Sequence, residues 1–257
     1  MDERATLTVR GAEAEAFLEN LVTCGVALLE VGELSFGALL TPQGKILFDF
    51  HLLREDHDAF LLDTPADVRD ELVKRLLFYR LRTAVEIAAD TRRAVLHDGG
   101  QPDARSHDLP PRRYATGEER VPESYHADRI RAGVPEAGRD FAYGEVFPHD
   151  VALDAFADGS EAGVSFGKGC YVGQEVVSRM KHRGTVRRRP VVLELDGQQP
   201  TGAALLADGR EVGALGTVVG NAALAIARVD RLESAADVSV NGTPVRWSLS
   251  PLLRPRT

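Results

Sequence analysis

Cysteine is nearly missing: Cys24 and Cys170 are the only two in 257 residues. Two thiols so far apart spell out neither a disulfide framework nor a zinc site, and within one chain they cannot ligate a cluster in the usual four-cysteine manner. Long apolar runs are also lacking, since no stretch approaches the roughly 18 to 20 uninterrupted apolar residues of a membrane helix. The acidic opening MDERATLTVRG resembles neither a secretory nor a mitochondrial targeting segment, so the expected setting is a reducing, cytoplasmic one with no membrane partner. HExxH, a P-loop, a Rossmann glycine fingerprint and a GxSxG elbow are all wanting, which removes the common metalloprotease, nucleotide and hydrolase chemistries. The glycines of GREVGALG sit in a β-rich tail with no helix behind them and read as turns. No low-complexity tract or measurable repeat occurs.

What is present is ordinary for a globular chain: 44% hydrophobic and 27% charged residues, enough length for one large domain or two smaller ones. The net charge of −8 argues against broad coating of nucleic acid, and no direct nucleic-acid binding is expected. The charge is uneven, however. Six basic residues and His182 lie between Arg179 and Arg189 with no acid among them. A local anion site and a plain solvated surface both fit that run.

Along the chain, TLTVR alternates as a strand, and GAEAEAFLENLV places Ala14, Phe17, Leu18 and Leu21 on one helical face. ELSFGALLT and KILFDFHLLR flank Pro42, Gln43 and Gly44, which predicts an antiparallel hairpin, and AFLLD adds a third strand. Thr64 is placed to cap a helix opening at Pro65, with Val68, Leu72, Leu76 and Tyr79 as its buried stripe. TAVEIA returns as a strand. This order is that of a ferredoxin-like α+β unit with an added strand, over residues 1–97. From Asp98 to Pro122, Pro, Gly, Asp and Arg dominate with little periodicity, which reads as a loop or crossover. PESYHADRIRAG then resumes helical spacing to Gly133. A second α+β region is expected over 98–186. The short β-rich runs from 187 to 257 predict a small barrel or sandwich.

The stretch GKGCYVGQEVVSRMKHRG, 167 to 184, is the densest in chemistry. Gly167, Gly169 and Gly173 surround Cys170 and permit turns closed to other residues. From Gln174 the spacing of Val176, Val177 and Met180 is helical and Gly184 ends it, with Glu175 in the first turn and Arg179, Lys181 and Arg183 in the last. Cys170 before a helix start, with Lys168 two residues away, occupies a position that favours thiolate. A lone cysteine is also commonly a small buried hydrophobe, and that alternative stands beside the reactive one. Asp49 lies mid-strand in an apolar run, sharing a face with Leu47 and His51. That face is either solvent-exposed or lines a cavity. His51 and His57 are the only neighbouring histidines and read as surface or packing rather than metal ligands, so no stably bound metal is expected.

KGCYVGQE, positions 168 to 175, resembles the signature of the YgfZ family, folate-binding relatives of the glycine-cleavage aminomethyltransferase that assist iron–sulfur cluster maturation. FLENLVT, ALLTPQGKILFD, YHADRIRAGVPEAG and GVSFGKGCYVGQEVVSRMKHRG follow the family's order, and the β-rich tail is similar to its C-terminal barrel. The resemblance implies an α+β fold with aminomethyltransferase-like antiparallel halves, a C-terminal β-barrel and a tetrahydrofolate cavity. It implies Cys170 as the characteristic thiol, with Lys168 beside it. The folate contacts implied are Arg129, Gly133, Pro135, Asp49, Gly169, Tyr171, Gly173, Gln174, Glu175 and Arg179, with Lys181 and Arg183 able to meet glutamate carboxylates. The acidic pair of the related transferases is reduced here to Phe48 followed by Asp49. Arg131 stands near where those enzymes hold the pterin with a glutamate. Cys24 and Gly25 replace a short polar pair. The implied function is a folate-binding accessory factor acting with iron–sulfur assembly proteins or client apo-proteins, and indirectly supporting tRNA modification. A true one-carbon transferase is the alternative.

Overall fold

A computed structural model describes residues 3–118, 121–155, 163–184 and 186–253. The chain divides into two compact units, Met1–Pro122 with Phe156–Gln174 and Glu123–Ala155 with Glu175–Thr257. This differs from the expected division at 97 and 186: the stretch 98–186 is shared between both units.

The first unit is built on a five-stranded antiparallel sheet. Its strands are β1 (Arg4–Arg10), β2 (Leu34–Leu40), β3 (Ile46–Asp56), β4 (Ala59–Pro65) and β5 (Glu86–Asp90), in the order β2-β3-β4-β1-β5. Helix α1 (Ala14–Glu19) follows β1 and α2 (Arg69–Arg80) follows β4. With β2 set aside, the remaining order is that of a ferredoxin-like sheet, and β2 is the added edge strand. One face buries Leu7, Val9, Phe48, Phe50, Leu52, Phe60 and Leu62 together with Phe17 and Leu18 of α1 and Leu72 and Leu76 of α2. That one-sided apolar alternation is what the period-2 and period-3.6 patterns require.

Two expectations are corrected here. Thr64 and Pro65 remain in β4, where the Thr64 hydroxyl donates to the carbonyl of Asp49 at 3.0 Å, and the helix starts four residues later behind Val68. Thr64 is fully buried on the sheet, so its hydroxyl satisfies a strand rather than a helix end. The interval from Asp98 is also not a plain loop. β6 (Ala94–Gln101) pairs with β7 (Arg112–Ala115), and the register breaks between Leu96 and Gln101, where Gly99 and Gly100 take positive φ. Those two glycines erase the alternation that would have announced a strand.

The second unit carries α3 (Tyr125–Ala132), α4 (Gln174–Arg183, whose first residue falls in the other unit), and a seven-stranded sheet. The sheet's strands are β8 (Arg188–Glu194), β9 (Ala204–Ala207), β10 (Arg210–Val219), β11 (Ala222–Arg228), β12 (Val238–Val240), β13 (Thr243–Pro244) and β14 (Arg246–Leu249). Their order is β13-β12-β9-β10-β11-β8-β14. β13 and β14 lie at opposite edges yet are separated by Val245 alone, so one run of chain joins both edges and the sheet curls into a half-barrel. Val191, Leu193, Leu205, Val212, Leu215, Ala225 and Val240 fill it.

Candidate functional site: the Cys170 loop

The family-like segments of the first unit converge on one loop. Thr23, just after α1, pairs through its backbone with Ala38 of β2. Its hydroxyl donates to the carbonyl of Gly163 at 2.6 Å, and its carbonyl accepts from Ser165 N–H at 2.9 Å. Lys168 then reaches into the same connection. Its ammonium donates to the carbonyls of Val22 and Cys24 at 2.9 and 2.6 Å and lies 3.3 Å from the Glu19 carboxylate. At the loop's other end Gly173 adopts φ +82, and a Cβ there would fall 2.7 Å from the Thr41 carbonyl of the β2–β3 turn. Only glycine fits that approach. Val172 packs on the core, and the N–H of Gln174 closes a turn onto Tyr171 at 3.2 Å as α4 begins. Between these two anchors Cys170 is exposed.

Lys168 therefore does something other than the sequence implied. Its ammonium is buried, ion-paired with Glu19 and hydrogen-bonded to two carbonyls, which ties its charge to the α1–β2 connection. Cys24 lies there, fully buried. Burial pushes its thiol up to about 11 although the Lys168 charge pulls the other way. Tyr171 is buried with its ring 5.5 Å from that ammonium; burial raises its phenol, and its hydroxyl finds no hydrogen-bond partner among the described residues. Gly169 and Gln174 stay local, the Gln174 side-chain amide donating to the Gly169 carbonyl at 3.3 Å.

Asp49 is 8% exposed and His51 fully buried, so the face they share is not solvent-facing. Beyond Asp49 it holds a charge network that sequence reasoning missed. Asp63 accepts from Arg4 Nε at 2.7 Å, Arg112 Nη1 at 2.8 Å and the Tyr114 hydroxyl at 3.2 Å. Asp103 accepts from Arg105 at 2.9 and 3.0 Å and Arg112 Nε at 2.9 Å, and lies 3.1 Å from His51 Nε2. Burial opposes ionisation of Asp63, but Arg4 and Arg112 outweigh it and hold its carboxyl at about 2. Burial and the Arg112 charge bring His51 down to about 3 despite Asp103, leaving the imidazole neutral at pH 7. The one signal in the sequence was an aspartate closing the apolar strand AFLLD.

In the second unit, Arg129, Gly133 and Pro135 form a structural node rather than a ligand-facing group. Arg129 is fully buried; its Nη1 donates to Asp140 at 2.7 Å and to the Val134 carbonyl at 2.9 Å, and its Nη2 to Thr217 at 2.7 Å. Gly133 ends α3 in the left-handed conformation, where a Cβ would meet Ser250 Oγ at 2.3 Å, and Pro135 is buried. Both terminal nitrogens of the guanidinium are thus spent within the node, while its Nε, 3.4 Å from a Glu136 carboxylate oxygen, makes no hydrogen bond among the described residues. Glu175 and Arg179 pair with one another on the exposed side of α4. Arg189 is bound bidentately to Asp154, while Lys181, Arg183, Arg187 and Arg188 are exposed. Among the described residues no group of three or more His, Cys, Asp and Glu is gathered so as to hold a metal ion, and no helix is long and apolar enough to cross a membrane.

The fold defined by these units is that of the aminomethyltransferases. The glycine cleavage system aminomethyltransferase T of Bartonella henselae superposes with a TM-score of 0.73 over 96% of this chain and 82% of that one, at 16% identity. Residues 187–254 match the family described as CAF17, C-terminal beta-barrel domain. The human iron–sulfur cluster assembly factor IBA57, mitochondrial, is 31% identical over 88% of this chain and 76% of its own length. The IBA57 homologue of Chaetomium globosum is 28% identical over 83% of this chain. The tRNA-modifying protein YgfZ of Sodalis glossinidius is 27% identical over 73% of this chain and 68% of its own. The chain spans 60% of the Chaetomium relative and 54% of one from Neurospora crassa. The chain belongs to the YgfZ/IBA57 family.

Proposed function

We propose that this protein is a folate-binding accessory factor for the maturation or repair of iron–sulfur proteins, with Cys170 as its working thiol, and that it supports tRNA modification only indirectly. The observation that carries the proposal is the Cys170 loop. Residues from the family-like segments of the first unit, Glu19 to Thr23, Thr41 and Lys168 to Gly173, fix both ends of the loop and leave its thiol exposed. Similarity to factors named for iron–sulfur cluster assembly supports the client class, namely assembly proteins or apo-proteins that receive clusters. A reducing, cytoplasmic compartment suits two free thiols.

Tetrahydrofolate is the proposed ligand on the strength of the fold. The residues of the first unit fit it in two respects: Asp49 brings a carboxylate able to accept from ring N–H groups, and the buried Tyr171 hydroxyl has hydrogen-bonding capacity unspent. When bound, the folate would supply a one-carbon carrier. Arg129 spends Nη1 and Nη2 on Asp140, the Val134 carbonyl and Thr217, which favours a structural role for it over direct contact with the folate.

The test is genetic. A deletion strain is complemented with wild type or Cys170→Ser, and enzymes that depend on four-iron clusters are assayed. Wild type is expected to restore them and Cys170→Ser to fail; equal rescue removes Cys170 from the mechanism. Purified protein with tetrahydrofolate and an aminomethylated carrier is expected to show no one-carbon turnover, and turnover would replace the accessory role with a transferase.

A further inference from the structure

The first unit contains two thiols in opposite states, and one polar contact stands between them. Cys24 is fully buried, its Sγ so close to Gly37 that a Cβ there would fall 2.5 Å away. Cys170 is exposed and only two residues from Lys168. Lys168 Nζ, on a side chain 3% exposed, holds the Cys24 carbonyl at 2.6 Å and lies 3.3 Å from Glu19 Oε2. That same oxygen accepts from Val26 N–H at 2.7 Å and Ala27 N–H at 3.1 Å. Glu19 thus grips the chain just beyond Cys24 and the lysine just before Cys170. A buried ammonium left without its carboxylate is strongly unfavourable, so neither partner can be removed without the segment giving way.

We propose that Lys168 is a positioning residue: paired with Glu19, it clamps the segment before Cys170 to the α1–β2 connection, masking Cys24 and leaving Cys170 as the single available thiol. The proposal rests on the reading of Cys170 as the working thiol. It changes what the lysine is for: the charge selects between two sulfurs by geometry rather than activating one of them directly. A second reactive thiol beside the first would offer an intramolecular trap to any partner joined to Cys170, and the clamp removes it.

The native, full-length protein is treated with N-ethylmaleimide and adducts are assigned by peptide mass spectrometry. Wild type is expected to label at Cys170 with Cys24 protected. Lys168→Met and Glu19→Gln are expected to label Cys24 about tenfold faster or more, the change in open population that follows from losing one charge-assisted hydrogen bond. Leu76→Ala, a buried α2 position, controls for general destabilisation. Cys24 labelling in Lys168→Met no faster than in Leu76→Ala, or a wild-type Cys24 that already reacts, overturns the proposal. Failure of the Cys170 reading shows separately, as full rescue of the deletion strain by Cys170→Ser while the labelling of Cys24 in wild type and Lys168→Met follows the clamp.

Discussion

Arg129→Met separates a structural node from a ligand contact. Arg129 is fully buried and donates to Asp140, the Val134 carbonyl and Thr217 within 2.9 Å. The methionine fills part of the volume but returns no donor. Asp140 then loses the guanidinium and keeps the N–H groups of Glu136 at 2.8 Å and Thr217 at 2.6 Å. Those two backbone bonds soften the loss, yet breaking a buried pair from one side costs about 3 to 5 kcal/mol. For a unit of this size that lowers Tm by on the order of 10 °C. The assay is built in, because Trp247 is the sole tryptophan and lies in β14 of the same unit. Its fluorescence during heating or urea unfolding reports this unit apart from the other. Folate affinity is measured on the same sample below the transition. The expected result is a large loss of stability with folate binding retained. A variant that melts with wild type but has lost folate would refute the node and return Arg129 to the ligand.

Acidification probes the first unit. His51 is held neutral at about 3 against 6.5 for a free imidazole, so below pH 6.5 the unfolded chain binds a proton the folded one does not. Stability therefore falls as pH drops from about 6.5 towards 3, at up to roughly 1.4 kcal/mol per pH unit. Thermal melts between pH 7 and 5 should show that slope, and His51→Gln should flatten it; an unchanged slope assigns it elsewhere. Gly173→Ala places a Cβ 2.7 Å from the Thr41 carbonyl at φ +82. It should cost about 1 to 3 kcal/mol and impair complementation as Cys170→Ser does. Full complementation by a stable Gly173→Ala would show that the anchor at the β2–β3 turn is dispensable. Asp140→Asn keeps the shape of the Arg129 node without its charge and should destabilise by less than Arg129→Met; an equal loss would mean that charge, not hydrogen bonding, dominates there.

How much of this was legible depends on how local each cause is. The ferredoxin-like order could be read because its strands and helices each carry a one-sided apolar period that neighbours confirm, as in KILFDFHLL or Leu72 with Leu76. The barrel could be read from its short runs, although β9 and β13 hold too few residues to announce themselves. β6 and β7 could not be read, since Gly99 and Gly100 break the period and the pairing is irregular. The site divides the same way. Gly173 demanded a special backbone, and a glycine's requirement is visible in one dimension. Lys168, Arg129 and Asp63 did not give themselves away, because a charge has the same letter whether it faces a ligand, a thiol or a buried carbonyl. For Arg129 and Lys168 the sequence put the functional interpretation on the charge, and both charges are buried among carbonyl and carboxylate partners. A cation without solvent needs protein partners, and a cation so partnered holds architecture in place. The family likeness put its weight on the sulfur, and Cys170 sits exposed in a loop whose two ends the surrounding contacts anchor.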